Sequence, residues 1–249
     1  MRSLWIAASL LLAASWLPLG AEWQQPAPPP AVPQQQPAAT PAPVTVVLDP
    51  AHGGADAGAH GPSGANESEI VLDYARAARV ALEGQGQRVL LTREDNHGLS
   101  YDERSAIING LHDAVFISLH ISSTGPAGTA RAYYFGGLAN DAAPPSHITI
   151  VPWYQVQEAH TSESRRLAEL VQAQLALKLP GSPSGPSAAA VRQLRTVAAP
   201  AIAVEVSSIG GSDAKQLSEM AQPLGEAVAR GIFEFRRDAA AAAPAPGGS

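Results

Sequence analysis

The sequence contains no cysteine in its 249 residues. Disulfide bonds are therefore excluded, and a folded part of roughly 195 residues must hold together by packing alone, which its size permits. An excess of basic residues is also missing, because 16 Lys and Arg stand against 22 Asp and Glu, for a net charge of -6. Nucleic acids and anionic membranes favour a basic partner surface, so we expect no nucleic-acid partner.

The apolar run at the amino end is too short for a typical membrane span. Residues 4–19 form this run of about 16 residues. With Arg2 before it and small residues after it, the run has the order of a secretory signal, so residues 1–21 are interpreted as a signal peptide. Leu19 fits the cleavage rule poorly, which leaves an uncleaved anchor as the alternative. After cleavage we expect no stable membrane association.

Two further segments have the composition of chain that does not fold. Residues 22–43 are almost wholly Pro, Ala and Gln, and residues 239–249 are Ala, Pro, Gly and Ser. Such segments bury too little apolar surface to offset the entropy of ordering them, which predicts a disordered linker and a disordered tail. Residues 44–238 remain, and their number is that of one ordinary domain.

Strand-like and helix-like patterns alternate within residues 44–238. Apolar, β-branched runs predict strands at 44–48, 88–92, 114–119, 131–135 and 201–206. Helical patterns follow NESE at 66–69 and SYDE at 100–103, both typical of capping boxes, and recur at 161–179 and from Ser212 onward. This order predicts a single α/β domain with a mainly parallel twisted sheet and helices on both faces.

Three ligand-type side chains are predicted at the carboxyl ends of the strands, where such sheets bind ligands. His52 follows the first strand, His120 ends the third, and Glu67 comes at the end of a glycine-rich segment after the first. Two histidines and a carboxylate that leave one position open are typical of catalytic zinc. We therefore predict that Zn²⁺ is bound by His52, Glu67 and His120, with a chance placement of histidines as the alternative.

Glu205 stands out because it lies inside the apolar strand AIAVEV. Strand alternation separates Glu205 from the larger apolar side chains of this run. A buried carboxylate needs a hydrogen bond, a cation or a catalytic role. We interpret Glu205 as the general base beside the metal, and a salt bridge with Arg93 or Arg104 is the alternative.

The other polar residues have less specific interpretations. The remaining histidines are expected at the surface, with His60 as a competing ligand in the alternative: His60, His97, His112, His147 and His160. Asp49 either orients the ring of His52 or caps the strand end. Arg93 and Arg104 either bind substrate carboxylates or form structural ion pairs.

Several blocks of the sequence together resemble one known family. DPAHGGADAGAHGPSGANES resembles the opening motif of zinc-dependent N-acetylmuramoyl-L-alanine amidases of the amidase 3 type, and LTRED, ERSAIING, DAVFISLH and PAIAVEV resemble its later blocks. The resemblance extends from Val44 to about Phe235. It implies a hydrolase that cuts the amide between N-acetylmuramic acid and the L-alanine of the stem peptide in peptidoglycan. It also implies zinc ligands at His52, Glu67 and His120 and a catalytic glutamate at Glu205.

The departures from the family pattern leave the ligands and the base in place. Ala51 replaces a glycine, Ser68 a lysine, Ile121-Ser122 an Ala-Asn pair, and Val206-Ser207-Ser208 a Cys-Gly-Phe run. We therefore expect activity, and because these positions line the groove they leave the substrate preference open. The alternatives are a non-catalytic peptidoglycan-binding module and a zinc peptidase that cuts within the stem. No wall-binding repeat is visible, so we expect a monomer in the periplasm of a Gram-negative bacterium.

Residues 136–160 are the place where some members of this family carry a helix that plugs the site. Here the segment contains Pro144, Pro145 and Pro152 with β-branched residues between them, which disfavours an uninterrupted helix. We expect a loop that borders the groove, with Trp153 and Tyr154 available either to substrate or to pin the loop to the core. The enzyme should then need no activator.

Overall fold

The computed structural model describes residues 44–62, 64–137 and 153–242, and of Trp153 and Tyr154 the backbone alone. In this part of the chain the strands are β1 Thr45–Pro50, β2 Arg88–Leu91, β3 Ala114–Ile121, β4 Thr129–Phe135, β5 Ser187–Ala189 and β6 Ala201–Ser207. The α-helices are α1 Glu67–Glu83, α2 Tyr101–Asn109, α3 Thr161–Lys178, α4 Ala214–Glu219 and α5 Ala221–Ala242, and 3₁₀ helices span Trp153–His160 and Arg192–Leu194. The predicted signal peptide 1–21 and linker 22–43 lie outside the described residues.

The strands form one six-stranded sheet in the order β2-β1-β3-β6-β4-β5. Strands β2, β1, β3 and β6 run parallel, whereas β4 pairs antiparallel with β6 and carries β5 parallel to itself at the edge. The predicted single α/β domain with a mainly parallel sheet is confirmed. The strand β5 was not predicted, because its sequence SAA has neither β-branched residues nor alternation.

The two faces of the sheet carry different layers. One face packs against α1, α3, α4 and α5, and its core contains Val46, Ile117 and Val204. The other face is covered by a smaller cluster around Phe116 and Leu194, which involves α2 and the 3₁₀ turn at Arg192–Leu194. Because this second layer is small, it leaves the carboxyl ends of the central strands uncovered on that face, and the site is found there.

The capping-box prediction is confirmed at one helix and wrong at the other. Ser100 caps α2 with both reciprocal bonds of a capping box to Glu103. Asn66 precedes α1 but makes no side-chain cap. Its amide oxygen instead lies 2.8 Å from Nδ1 of His60. The carboxylate of Glu67 at the first position of α1 is turned toward the strand ends, so the start of this helix serves the site.

The last helical stretch differs from the single helix predicted from Ser212. Asp213 caps the short helix α4 through a capping box with Gln216, and Met220 ends it before α5 begins. Helix α5 then continues to Ala242, so the predicted domain end at Asp238 falls inside it. Alanine is the best helix former, which accounts for the extension. None of the helices in the described residues is long and apolar enough to cross a membrane.

Candidate active site

Sheet register places the polar residues of three strands at one level and on one face. Ser118, His120 and Glu205 alternate with Ile117, Leu119 and Val204, whose side chains face α1 and α5. Asp49 on β1 pairs with Ser118 on β3, and His120 pairs directly with Glu205 on β6. The polar residues therefore share the thinly covered face at the carboxyl ends of the strands, as the sequence predicted.

The three predicted metal ligands come together. His52, Glu67 and His120 each offer a ligand atom, and these atoms lie within 4.8 Å of one another. Nε2 of His52 lies 3.2 Å from Oε2 of Glu67, and Nδ1 of His120 lies 3.2 Å from Oε1. The two imidazole rings meet edge to face with centroids 5.6 Å apart. The donor set and its spacing fit a transition-metal ion such as zinc.

The glycine-rich segment is needed to bring His52 and Glu67 together. His52 itself has φ of 62°, and Gly53 and Gly54 follow with φ of 119° and 64°, so the chain turns sharply at the ligand. Gly58 passes close behind the site. A Cβ atom at Gly58 would lie 2.6 Å from Oε2 of Glu67, so a larger residue there would push against the ligand.

The ring of His52 is oriented by Asp56. Oδ2 of Asp56 lies 2.8 Å from Nδ1 of His52, so Nδ1 donates to Asp56 and Nε2 is the ring nitrogen that faces the site. Oδ1 of Asp56 accepts the backbone N–H of Gly58. Asp49 was one alternative predicted for this role, and that alternative is wrong. Asp56 could have been considered from its place four residues after His52, but nothing in the pattern distinguishes it.

Asp49 instead acts on the other histidine, through Ser118. Oδ1 of Asp49 accepts bonds from Thr92 and Arg104, and Oδ2 accepts the Ser118 hydroxyl at 2.9 Å. The Ser118 oxygen also lies 3.3 Å from Nε2 of His120. Because the hydroxyl proton goes to Asp49, the oxygen accepts from Nε2–H of His120. Nδ1 of His120 is then the nitrogen that faces Glu67.

Glu67 is buried and strongly stabilised as an anion. Its side chain is 5% exposed. Burial by itself raises the pKa of this carboxyl, but hydrogen bonds with His120 and His52 and with the backbone N–H groups of Ala59 and Ile121 hold it well below its usual range. The hydrogen bond with Glu67 raises the pKa of His52 to about 9, against the lowering effect of burial, and Asp56 adds to the rise. The cluster therefore attracts positive charge, which a metal cation would supply.

Glu205 lies beside this cluster and is half-buried. Its neighbours in register are His120 on β3 and Arg131 on β4. Among the described residues Glu205 forms no ion pair with Arg93 or Arg104, because both arginines bind elsewhere. The salt-bridge alternative for Glu205 is therefore wrong, and its carboxylate faces a groove of about 360 Å³.

Arg93 and Arg104 are structural. Arg93 is 1% exposed and donates to the carbonyls of Pro50, Ala51, Ser68 and Asp95. Arg104 pairs with Asp49 and donates to the carbonyls of Pro50, His52 and Leu99. Together the two arginines stabilise the turn at 50–52 that contains His52. Because their donors are used in this way, neither arginine is available to bind a substrate carboxylate.

The other described histidines lie outside the cluster. His60 and His112 are exposed. His97 bonds to Asp95 at the surface, and His160 lies 3.2 Å from Glu163 at the start of α3. The surface interpretation is confirmed for these four, and the competing-ligand alternative for His60 is not supported. His147 lies outside the described residues.

Comparison with known proteins gives the same assignment as the geometry. The family model described as N-acetylmuramoyl-L-alanine amidase (Amidase_3) matches residues 46–234. The chain belongs to this family. The match spans the whole sheet except Thr45 and includes all four residues of the predicted site, so the resemblance seen in the sequence blocks is confirmed.

Individual amidases resemble the chain over most of its folded part. The N-acetylmuramoyl-L-alanine amidase LytC of Bacillus subtilis is 28% identical over 176 residues, which are 70% of this chain and 32% of LytC. The chain thus spans about a third of that relative's length. Among solved structures, the amidase AmiC2 of Nostoc punctiforme has a TM-score of 0.61 at 25% identity and covers 77% of this chain and 96% of its own. Amidase Ami1 of Mycobacterium smegmatis shares the fold, with a TM-score of 0.62 at 23% identity.

Proposed function

We propose that the chain is a zinc-dependent N-acetylmuramoyl-L-alanine amidase that cleaves peptidoglycan between N-acetylmuramic acid and the L-alanine of the stem peptide. The observation that carries the proposal is the convergence of His52, Glu67 and His120 beside Glu205 in a member of the amidase family. LytC and AmiC2, to which the chain is similar, are named for the same reaction.

The proposed zinc ion would be held by Nε2 of His52, Nδ1 of His120 and the Glu67 carboxylate. When bound, it would supply a water of pKa about 7 and polarise the scissile carbonyl. Asp56 and Ser118 accept from the far ring nitrogens of His52 and His120, so the two nitrogens that face the site are the ones that would lose their protons to a bound metal. Glu67 contributes negative charge and, through the N–H groups of Ala59 and Ile121, stays fixed in place.

Glu205 is the proposed general base and acid. It lies next to His120 in register, and in the described part of the chain its carboxylate accepts no hydrogen bond that would hold it away from a substrate. Its oxygen would take a proton from the attacking water and deliver it to the departing alanine nitrogen. This function requires the nitrogen of the leaving peptide to lie beside Glu205.

Digestion of purified sacculi tests the proposal against both alternatives. The zinc-loaded protein should release intact stem peptides with a free L-alanine amine, identified by mass spectrometry. Glu205→Gln should keep the metal and lose about 10²–10⁴ in rate, because the proton transfer is removed. Cuts inside the stem would indicate a peptidase, and binding to sacculi without release would indicate a wall-binding module.

The cellular location of the enzyme is proposed from its amino-terminal sequence and its family. The signal peptide predicted at residues 1–21 and the amidase family both favour export, and relatives such as AmiC of Neisseria meningitidis are named as amidases of the same reaction. We propose a periplasmic monomer whose partner is peptidoglycan. Recovery of most of the mature chain from the culture medium would contradict this location.

A further inference from the structure

A groove next to Glu205 contains a cation that the proposed reaction does not yet use. The groove has a volume of about 360 Å³ and lies over β6 and β4. Its floor includes Glu205, Arg131 and Tyr133, and its walls are the loop after β3 and the loop after α3. It is separate from the smaller cavity of about 130 Å³ that His52 and His120 line over β1 and β3.

Arg131 is the cation, and it lies on the same face as the site. In the backbone register of the sheet, Arg131 on β4 lies opposite Glu205 on β6, and Glu205 lies opposite His120 on β3. The three residues thus form a row over three adjacent strands. Neighbouring strands are about 4.8 Å apart, so the backbone of Arg131 lies roughly 5 Å beyond Glu205 and roughly 10 Å beyond His120.

The contacts of Arg131 leave most of its guanidinium free. Nη1 of Arg131 donates to Oγ of Ser187 on the neighbouring strand β5 at 2.9 Å, and this bond orients the side chain. Within the described part of the chain, Arg131 makes no ion pair, even with the neighbouring Glu205. A guanidinium whose only purpose was to neutralise Glu205 would be expected to pair with it. An arginine presents several N–H donors in a planar fork, and here they line an open groove.

Tyr133 adds a neutral donor to the same groove. It follows Arg131 by two residues on β4 and therefore shares its face. Burial, followed by the charge of Glu205, raises the pKa of the Tyr133 hydroxyl, against the opposing effect of Arg131. The hydroxyl thus stays protonated at neutral pH and can donate a hydrogen bond.

The proposed reaction fixes which part of the substrate enters this groove. Glu205 delivers a proton to the departing alanine nitrogen, so the stem peptide must extend from Glu205 away from the metal ligands. In the row of three residues, the direction that leads from Glu205 away from His120 leads toward Arg131. Two residues of extended peptide span roughly 7 Å, which brings the residue after L-alanine within reach of a long arginine side chain. In peptidoglycan this residue carries a free carboxylate or, where the wall is amidated, a carboxamide.

We propose that Arg131 is a carboxylate subsite for the departing stem peptide and makes the enzyme prefer stems whose second residue is not amidated. The inference rests on the proposed function. A guanidinium binds a carboxylate through charge-assisted, bidentate hydrogen bonds, which a carboxamide can only partly replace. Arg131 is thus a specificity residue that lies beyond the proton-transfer site.

A competition experiment tests the preference directly. Glycan strands with uncrosslinked stems are prepared in two forms, with a carboxylate or a carboxamide on the second residue, and are mixed in equal amounts with the zinc-loaded full chain. The ratio of released peptides gives the ratio of kcat/KM values. We expect the native enzyme to favour the carboxylate form on the order of 10- to 100-fold. Arg131→Gln should bring the ratio close to one, chiefly by slowing cleavage of the carboxylate form.

Two further variants separate a binding role from other effects. Arg131→Lys keeps the charge without the fork and should retain part of the preference. Arg165→Gln on α3 removes the same charge from an exposed site that pairs with Glu169, and should leave the ratio unchanged. An unchanged ratio in Arg131→Gln, or equal loss of both substrates with the metal still bound, would overturn the subsite. Failure of the native enzyme to cleave either form would instead overturn the proposed function on which the subsite depends.

Discussion

The buried hydroxyl of Ser118 orients the ring of His120, a proposed metal ligand. It is fully buried, donates to Asp49 and accepts from Nε2–H of His120. We predict that Ser118→Ala lowers zinc affinity about 10- to 100-fold, because the tautomer of His120 is no longer fixed. Competition with a chromophoric chelator measures the affinity, and ¹⁵N NMR of the imidazole reports the tautomer.

The matched control for Ser118 is Ser123→Ala, which removes a hydroxyl from an exposed position just beyond β3. It should leave both the affinity and the tautomer unchanged. If Ser118→Ala binds zinc as tightly as the native chain, the relay from Asp49 to His120 has no role in metal binding.

The proposed metal ligands differ in the other contacts that they make. His120→Ala should abolish stoichiometric zinc and leave the fold intact, since its ring is 29% exposed at the sheet edge. Glu67→Ala should also abolish zinc but in addition lower the free energy of unfolding by roughly 2–3 kcal/mol, because Ala59 and Ile121 lose a charged acceptor. Metal analysis and urea unfolding of the zinc-free proteins separate the two effects. Full zinc occupancy in both variants would refute the assignment.

At the scale of elements, Arg93 connects the end of β2 with the loop after β1 and the start of α1. Its donors bind the carbonyls of Pro50, Ala51 and Ser68, all inside the protein. We predict that Arg93→Ala costs at least about 3 kcal/mol in the free energy of unfolding, because several buried carbonyls lose charged donors at once. Arg76→Ala, at an exposed pair with Asp73, should cost less than about 1 kcal/mol. Equal costs in urea unfolding would show that the Arg93 contacts contribute little.

Hydrophobic pattern was enough to predict the central strands and most of the helices. The runs VTVVL, AVFISL and AIAVEV are apolar on both faces, as buried parallel strands require, and the structure has strands there. Direction is not encoded in such patterns, so nothing in Thr129–Phe135 predicted that β4 runs antiparallel. The capping signal at Asn66 misled because its side chain had a partner in His60, which only the folded loop brings near.

The residues of the candidate site could be predicted where the residue type itself indicates metal-binding or acid-base chemistry. His52, Glu67, His120 and Glu205 were predicted from residue type, from position at strand ends and from the family blocks, and the structure brings them together. Their supporting residues were not predicted. Asp56 is one of many acidic residues, and Ser118 looks like part of a strand until β1 places Asp49 beside it. Such partners depend on register between segments far apart in sequence, which the pattern within one segment does not contain.

At the scale of the whole molecule, β4 ends near the amino end of β6, which is the end of the sheet opposite the site. Because β4 is antiparallel, its residue Tyr134 pairs with Ile202, about 10 Å before Glu205 along β6. The described residues resume at Trp153, and in the 3₁₀ helix that begins there the amide of Gln157 donates to the carbonyl of Ala199, just before β6. Both flanks of the segment between β4 and α3 thus lie far from the metal ligands. Of the loop predicted at 136–160, residues 138–152 lie outside the described residues, and Trp153–His160 form a 3₁₀ helix.

This geometry bears on whether the enzyme needs an activator. To block the site, a plug formed by this segment would have to extend from one end of the sheet to the other. Pro144, Pro145 and Pro152 make the segment unsuitable for a continuous helix. We therefore predict that the purified, zinc-loaded chain digests sacculi without any partner. Deleting residues 141–152, which spares the 3₁₀ helix with Gln157, should not raise the rate of peptide release. A protein that is inert until this deletion activates it would show that the segment blocks the site.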